Sequence, residues 1–196
     1  MLSVGSPIRE AVVTYGTQEI EVKYRVGDLA ALEDALAQRG APLSAPAHQD
    51  DQAYAEDGWT YADSKIGRSF ARLRTQQGRH LFTVKRPVDN AMACLEHETT
   101  VADREQMHHA ITLMGFHPTV RIVKTRRTAT LGSMTICVDE VEHAGAFVEI
   151  ERTVSGEETG TAVQVELDTF ARSLGVELER VTDTYDSLVR AALASA

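Results

Sequence analysis

Charged side chains occupy alternate positions in the segment Gln18–Val26, and this spacing is the first chemical signal in the chain. Glu19, Glu21 and Lys23 alternate with apolar residues, and alternate positions of a β-strand share one face. Carboxylates grouped on one face can bind a divalent cation. An ordinary half-buried strand shows the same alternation, so this segment alone does not distinguish a binding site from a solvated surface.

The same alternation recurs in later segments, often with charges of a single sign. The recurring pairs are Arg72 with Arg74, Thr83 with Lys85, Glu96 with Glu98, Lys124 with Arg126, Cys137 with Asp139, and Glu149 with Glu151. We infer one shared interior surface, as in a closed or nearly closed barrel with a polar lumen. Grouped carboxylates favour a hard divalent cation, and converging Lys and Arg favour phosphate oxygens. Mutual salt bridges without a ligand are the alternative, at a high cost in desolvation.

Periodicity and turn signals predict the elements that carry these residues. Strands are predicted over residues 18–26, 69–75, 80–86, 95–101, 119–131, 134–141 and 146–154. Helices are predicted after the N-cap Asp28 and over residues 103–114, 161–174 and 184–193. Residues 41–63 are predicted as mostly loop, with one short strand near Tyr54. These elements indicate an α+β fold with antiparallel strands and helices packed outside them.

Length and charge limit the class of protein. The chain has 196 residues, 43% of them hydrophobic and 25% charged, with a net charge of −9. This composition predicts one domain over residues 1–196, with its core at about 18–190 and a loosely ordered lead-in at 1–13. An acidic chain is not expected to bind nucleic acid, which requires a basic surface. A small polyanion remains a suitable ligand if the cations converge in one place.

The sequence also carries information about cellular context. It has no apolar run long enough to span a bilayer and no signal-peptide pattern. Its two cysteines, Cys94 and Cys137, are too few for a disulfide framework. We therefore predict a cytoplasmic protein with no membrane partner.

Several short motifs resemble those of one known superfamily. They include E-x-E-x-K at Glu19, D-x-x-Y at Asp51, G-F-H-P at Gly115 and G-x-F-x-E-I at Gly145. Together they resemble the CYTH, or triphosphate-tunnel, superfamily, and are most similar to bacterial class IV adenylate cyclases. The resemblance extends from about residue 18 to residue 188. It implies an eight-stranded antiparallel β-barrel, or tunnel, with helices outside.

The resemblance also implies roles for individual residues. The metal ligands for Mg²⁺ or Mn²⁺ would be Glu19, Glu21, Glu149 and Glu151. The triphosphate would be bound by Lys23, Arg72, Arg74, Lys85, Lys124 and Arg126. The residues implied in catalysis are Glu21, Lys85, Arg126 and Asp139. One position departs from the pattern, since many members carry an arginine where Cys94 stands, and a homodimer is a further expectation from the family.

The resemblance leaves three functions open. A class IV adenylate cyclase would convert ATP to cyclic AMP and pyrophosphate. A triphosphatase would use nearly the same cradle to hydrolyse inorganic triphosphate, thiamine triphosphate or a nucleotide. A non-catalytic sensor would bind a nucleotide or polyphosphate without turnover, although four carboxylates facing an anionic ligand argue against it.

Overall fold

The computed structural model describes residues 18–155 and 160–195, so the predicted lead-in at residues 1–13 lies outside the described part. Within these residues the chain forms nine strands and four helices. The strands are β1 (Gln18–Val26), β2 (Ala47–Glu56), β3 (Phe70–Gln76), β4 (Arg79–Pro87), β5 (Ala93–Val101), β6 (Phe116–Leu131), β7 (Met134–Val141), β8 (Gly145–Val154) and β9 (Leu178–Val181). The helices are α1 (Leu29–Gln38), α2 (Arg104–Leu113), α3 (Gly160–Ser173) and α4 (Tyr185–Ala194).

The strands form one antiparallel sheet that closes on itself. Neighbours follow the order β5, β4, β3, β2, β6, β7, β8, β1 and β9, and β1 also pairs with β5. The first residues of β1 meet β5, with Glu19 opposite Cys94. Its last residues meet β9, with Val26 opposite Leu178. Strands β1 to β8 therefore close into the predicted eight-stranded barrel, and β9 extends the wall beside β1.

The largest error of the sequence prediction falls in residues 41–63. Instead of a loop with one short strand, this segment contains the ten-residue strand β2, which pairs with β3 and β6. The buried side chains Gln49 and Asp51 are polar and only 3% exposed, whereas His48 on the other face is exposed. The strand was missed because hydropathy does not alternate where neither face is apolar. The short strand β9 was also not predicted.

The main apolar core lies outside the barrel wall, where helices α1 and α3 pack on β1, β7 and β8. Its fully buried members include Ile20, Val22, Leu32, Leu36, Ile136, Val148 and Ile150. Helix α1 begins where the Asp28 carboxylate accepts a hydrogen bond from the Ala31 amide at 3.0 Å. Because the apolar faces of these strands point outward to the helices, their polar faces point into the barrel.

Helix α2 covers another part of the wall. Ile111 is fully buried there and packs with Tyr54 and Leu73. This helix ends at Leu113, one residue before its predicted end, and Met114 is 59% exposed. Among the described residues, no helix combines the length and hydropathy needed to cross a membrane.

Candidate functional site

Strand register brings the predicted polar faces together inside the barrel. The charged pairs that lie directly opposite each other are Glu21 with Glu151, Lys23 with Glu149, Arg74 with Asp51, Lys85 with Glu96, and Arg126 with Asp139. Opposite residues of an antiparallel pair project to the same side of the sheet. Strands from around the whole ring therefore contribute charged groups to one lumen.

The lumen contains a cavity of about 510 Å³. Its walls include ten residues that the sequence singled out: Glu19, Glu21, Lys23, Arg72, Arg74, Lys85, Lys124, Arg126, Glu149 and Glu151. Pockets for small molecules typically measure roughly 300–1,000 Å³. The cavity therefore has a suitable volume for a nucleotide-sized anion.

Three carboxylates form a compact acidic group at this cavity. Glu19, Glu21 and Glu151 each offer an oxygen within 4.8 Å of the others. Oxygen ligands at such spacing suit a hard divalent cation, so these residues fit the implied Mg²⁺ or Mn²⁺. The fourth predicted ligand, Glu149, lies outside this group, because its carboxylate contacts Lys23 at 3.2 Å and also Arg126.

The acidic group is electrostatically strained without a cation. Burial and the nearby charge of Glu149 raise the pKa of Glu21 to about 7. Burial and the charge of Glu19 raise the pKa of Glu151 to about 8. For Glu19, burial alone would raise the pKa, but Lys85 holds it at about 2. Without a cation, Glu21 is therefore about half protonated and Glu151 mostly protonated at pH 7.

The affinity for Mg²⁺ or Mn²⁺ is expected to rise with pH between about 6 and 8, because Glu21 and Glu151 must lose protons before the cation binds. Isothermal titration calorimetry across this range measures the rise. Metal binding to the Glu21→Gln variant should be weaker and, below about pH 7, should release fewer protons than binding to the wild type. An affinity that does not change with pH would contradict the assignment of this group as the metal site.

Glu21 and Glu151 also make the free energy of unfolding depend on pH when metal is absent. Their folded-state pKa values of about 7 and about 8 exceed the ordinary value of 4.5. Between these limits the folded state binds more protons than the unfolded chain, so the free energy of unfolding falls as pH rises. Urea denaturation in the presence of a chelator should show this decline between about pH 5 and pH 8. Addition of Mg²⁺ at pH 8 should restore stability.

The cations of the lumen are buried beside one another. Lys124 is 3% exposed, and burial followed by the charge of Arg126 lowers its pKa to about 8. Lys124 Nζ donates to Asp139 Oδ2 at 2.9 Å, and Arg126 Nε donates to Asp139 Oδ1 at 2.7 Å. Asp139 therefore offsets part of the repulsion between the two cations, and their charges depress its pKa although burial opposes them.

Asp139, implied as a catalytic residue, is buried beneath the side chains that line the cavity. It is 0% exposed and is absent from the cavity lining. Its Oδ1 accepts a hydrogen bond from Arg126, and its Oδ2 accepts hydrogen bonds from Lys124, from Arg126 and, at 2.8 Å, from the Tyr185 hydroxyl. This arrangement suits a residue that positions cations rather than one that contacts a substrate.

The remaining predicted cations also have carboxylate partners. Arg74 forms a bidentate pair with Asp51, with both N–O distances 2.7 Å. Arg72 contacts Glu98 at 3.2 Å. These contacts match the salt-bridge alternative considered from the sequence, but they surround an open cavity and leave space for a ligand.

Lys85 connects the acidic group with the cationic wall. Its Nζ donates to Glu19 Oε1 at 2.7 Å and contacts Glu96 on the neighbouring strand. The surrounding carboxylates raise its pKa well above the ordinary value although burial opposes them, so it remains a cation. Cys94 lines the cavity nearby, and burial raises the pKa of its thiol to about 12. The thiol therefore supplies no charge at this position of the wall.

Three residues of this region were not identified as site residues from the sequence. Asp51 belongs to the strand β2 that hydropathy did not reveal, although its D-x-x-Y motif was noted. Tyr185 belongs to α4 yet lines the cavity. Lys65 lies between β2 and β3 and donates to both Asp186 oxygens at 3.0 Å. Only the tertiary structure brings Lys65 and Tyr185 to the lumen, because neither lies in a barrel strand.

The aromatic residues near the cavity mainly contact one another. Trp59 is 5% exposed, and its ring centroid lies 5.0 Å from those of Tyr61 and Phe70. Tyr54 of the D-x-x-Y motif is 1% exposed, and its hydroxyl lies 2.8 Å from His108 Nδ1 of helix α2. These rings are held by local packing and are not arranged as an open platform for a nucleobase.

Most of the chain matches the model of one protein family. The model of the CYTH domain matches residues 17–185, which include all nine strands of the described structure. The chain therefore belongs to the CYTH family. The family as a whole binds triphosphates and depends on metal ions, in agreement with the chemistry of this cavity.

Individual relatives agree with this assignment. A candidate adenylate cyclase of Methanocaldococcus jannaschii is 23% identical over 171 residues, covering 83% of this chain and 93% of the relative. The PH1012 protein of Pyrococcus horikoshii OT3 has a solved structure with a TM-score of 0.72 and 25% identity, covering 87% of this chain and 99% of the other. The structure of HpAC1 from Hippeastrum, described as an adenylyl cyclase candidate with a dominant triphosphatase activity, gives a TM-score of 0.57 at 17% identity, covering 88% and 95%.

Proposed function

We propose that this protein is a metal-dependent enzyme that converts ATP to 3′,5′-cyclic AMP and pyrophosphate. The observation that carries the proposal is the division of one cavity into two chemical parts. Glu19, Glu21 and Glu151 on β1 and β8 form an acidic group. The cations of the other part come from β3 and β6: Arg72, Arg74, Lys124 and Arg126. The two parts together suit a triphosphate with its metal ion.

In this proposal the cations of the lumen bind the phosphate chain. Arginine binds two phosphate oxygens at once through its planar fork, whereas lysine acts as a point charge. Arg74 and Arg126 already make bidentate contacts of this geometry with Asp51 and Asp139. Lys85 contacts the acidic group directly, and we place it beside the phosphates nearest the metal. Arg126 stabilises the charge that develops on the phosphate oxygens.

The metal would be held by the acidic group, with Glu149 retained as a predicted fourth carboxylate. Mg²⁺ or Mn²⁺ fits because its oxygen ligands would be Glu19, Glu21 and Glu151, whose mutual repulsion it relieves. When bound, such an ion neutralises phosphate charge and acidifies an attacking hydroxyl.

The proposed reaction requires an attack on the α-phosphorus. The ribose 3′-oxygen forms a bond to that phosphorus, and the bond to the bridging oxygen breaks, so that pyrophosphate leaves with the electron pair. The hydroxyl proton passes to a base at the lumen. Asp139 is a poor candidate because it is fully buried and its oxygens already accept hydrogen bonds from Lys124, Arg126 and Tyr185. The support for cyclisation in particular is the archaeal relative named as a candidate adenylate cyclase.

A second candidate is hydrolysis of the terminal phosphate of a triphosphate. Two observations favour it: the Hippeastrum protein of the same fold is described as having a dominant triphosphatase activity, and the aromatic residues near this cavity pack on one another. A site that recognises phosphates strongly and the base weakly would accept inorganic triphosphate or thiamine triphosphate.

A product assay separates these functions. Purified protein is incubated with Mg²⁺ or Mn²⁺ and with ATP, inorganic triphosphate or thiamine triphosphate, and the products are resolved by chromatography. Equal amounts of cyclic AMP and pyrophosphate, lost in Lys85→Ala but retained in the control Arg121→Ala at an exposed position, would support the cyclase. Phosphate release without a cyclic product would replace it with the triphosphatase. Nucleotide binding that persists in a chelator, without turnover, would favour the sensor.

Cellular location and oligomeric state belong to the same proposal. We propose a cytoplasmic enzyme, since Cys94 and Cys137 are both free and buried, as is usual in a reducing compartment. A homodimer stays a prediction, which light scattering coupled to size-exclusion chromatography can test.

A further inference from the structure

Helix α4 contributes a side chain to the lumen although it lies outside the barrel strands. Tyr185, its first residue, is 9% exposed and lines the cavity. Its ring meets Phe147 edge-on, with centroids 5.4 Å apart. Val189, one turn later, packs in the same apolar cluster together with Ile122. Packing by the helix and by the barrel therefore holds the tyrosine ring in place.

The Tyr185 ring lies against two buried ammonium groups. Lys23 Nζ is 4.1 Å from the ring centroid, and Lys124 Nζ is 4.5 Å from it. Both distances are inside the range of about 6 Å for a cation–π contact, which is strongest where water is excluded. The two lysines are 1% and 3% exposed. An aromatic ring attracts an ammonium group without neutralising its charge, unlike a carboxylate.

Two hydrogen bonds connect the start of α4 to Lys23 and to the carboxylate partner of Lys124. Lys23 Nζ donates to the carbonyl oxygen of Asp183 at 3.1 Å, two residues before the tyrosine. The Tyr185 hydroxyl donates to Asp139 Oδ2, the oxygen that also accepts from Lys124. The start of α4 thus contacts Lys23 and Lys124 directly, and it is also linked to Lys124 through the Asp139 carboxylate.

We propose that Tyr185 is a positioning residue of the triphosphate site, whose ring holds Lys23 and Lys124 as cations available to phosphate oxygens. The inference rests on the proposed function and extends the site to helix α4. Without the ring, the two ammonium groups would pair more closely with the carboxylates that they already contact, Glu149 at 3.2 Å from Lys23 and Asp139 at 2.9 Å from Lys124. Phosphate oxygens then compete less well for them.

Calorimetric titration with inorganic tripolyphosphate in a chelator, where metal-dependent turnover of the probe does not occur, tests this role. Tyr185→Leu, which removes the ring, should weaken binding about tenfold. Tyr185→Phe, which keeps the ring and loses only the hydroxyl, should stay within about threefold of the wild-type affinity. The control Val189→Ala removes apolar contacts of the same helix and should lower the thermal midpoint without changing affinity. If Tyr185→Leu does not fold, Tyr185→Met supports the same comparison.

The possible results separate this inference from the function on which it rests. Wild-type affinity in Tyr185→Leu, with a thermal midpoint lowered as in Val189→Ala, would reduce the tyrosine to a structural role. Equal losses in the Leu and Phe variants would assign the effect to the hydroxyl and overturn the role of the ring. Failure of the wild-type protein itself to bind tripolyphosphate in the chelator would overturn this inference, and failure with Mg²⁺ as well would refute the proposed function.

Discussion

Replacing Glu21 with glutamine is expected to reduce metal-dependent turnover by at least about 100-fold. The substitution keeps the volume of the side chain but removes one of the anionic oxygens shared with Glu19 and Glu151. Initial rates at saturating substrate, measured over a series of Mg²⁺ and Mn²⁺ concentrations, test the prediction. Glu140→Gln is the matched control, because Glu140 is an exposed glutamate of β7.

The same substitution is expected to stabilise the metal-free protein at pH 8. Burial and Glu149 raise the pKa of Glu21 to about 7, so its surroundings favour the neutral form. The unfolded glutamate ionises above about pH 4.5, whereas the folded one keeps its proton until about pH 7, so neutral glutamine should raise the free energy of unfolding at pH 8 by about 3 kcal/mol. Urea denaturation in a chelator should show a gain that is absent near pH 4 and grows between about pH 5 and pH 8. A variant that is inactive and also less stable at pH 8 would instead indicate a structural role for Glu21.

The substitution Asp139→Asn is expected to lower the free energy of unfolding by a large amount. The substitution leaves Lys124 and Arg126 buried without the carboxylate that both contact. Removing one partner of a buried ion pair typically costs about 3–5 kcal/mol, and chemical denaturation at pH 7 measures the loss. Because the pKa of Asp139 lies below its ordinary value of 3.8, this contribution is present at neutral pH and is lost in acid.

An exposed ion pair provides the control for Asp139. Asp50 also accepts two hydrogen bonds from one arginine, Arg121, at 2.8 and 2.9 Å, but that arginine side chain is 64% exposed. Asp50→Asn should therefore change the free energy of unfolding by less than about 1 kcal/mol. If Asp139→Asn unfolds like the wild type but loses turnover, Asp139 acts in catalysis and its positioning role is wrong.

Much of the fold could be predicted from local signals. The strands with one apolar face were predicted within a few residues, as β1, β7 and β8 illustrate, because alternation is a property of a single strand. Strand β2 was missed because Gln49 and Asp51 face the lumen and its other face is also polar. Although Tyr54 of this strand packs against α2, its other positions are mostly polar and leave no alternation in hydropathy.

The sequence by itself determined which residues share a face, because the two-residue period of a strand does not depend on its neighbours. It thereby identified Glu19, Glu21 and Lys23 as one group and Lys124 and Arg126 as another. Only the tertiary structure decided their partners, because strand register and side-chain direction depend on pairings between distant segments. It placed Glu151 with Glu19 and Glu21, turned Glu149 toward cations, and buried Asp139 beneath Lys124 and Arg126. It also brought Tyr185 from a helix into the lumen, a contact for which the sequence carries no periodic signal.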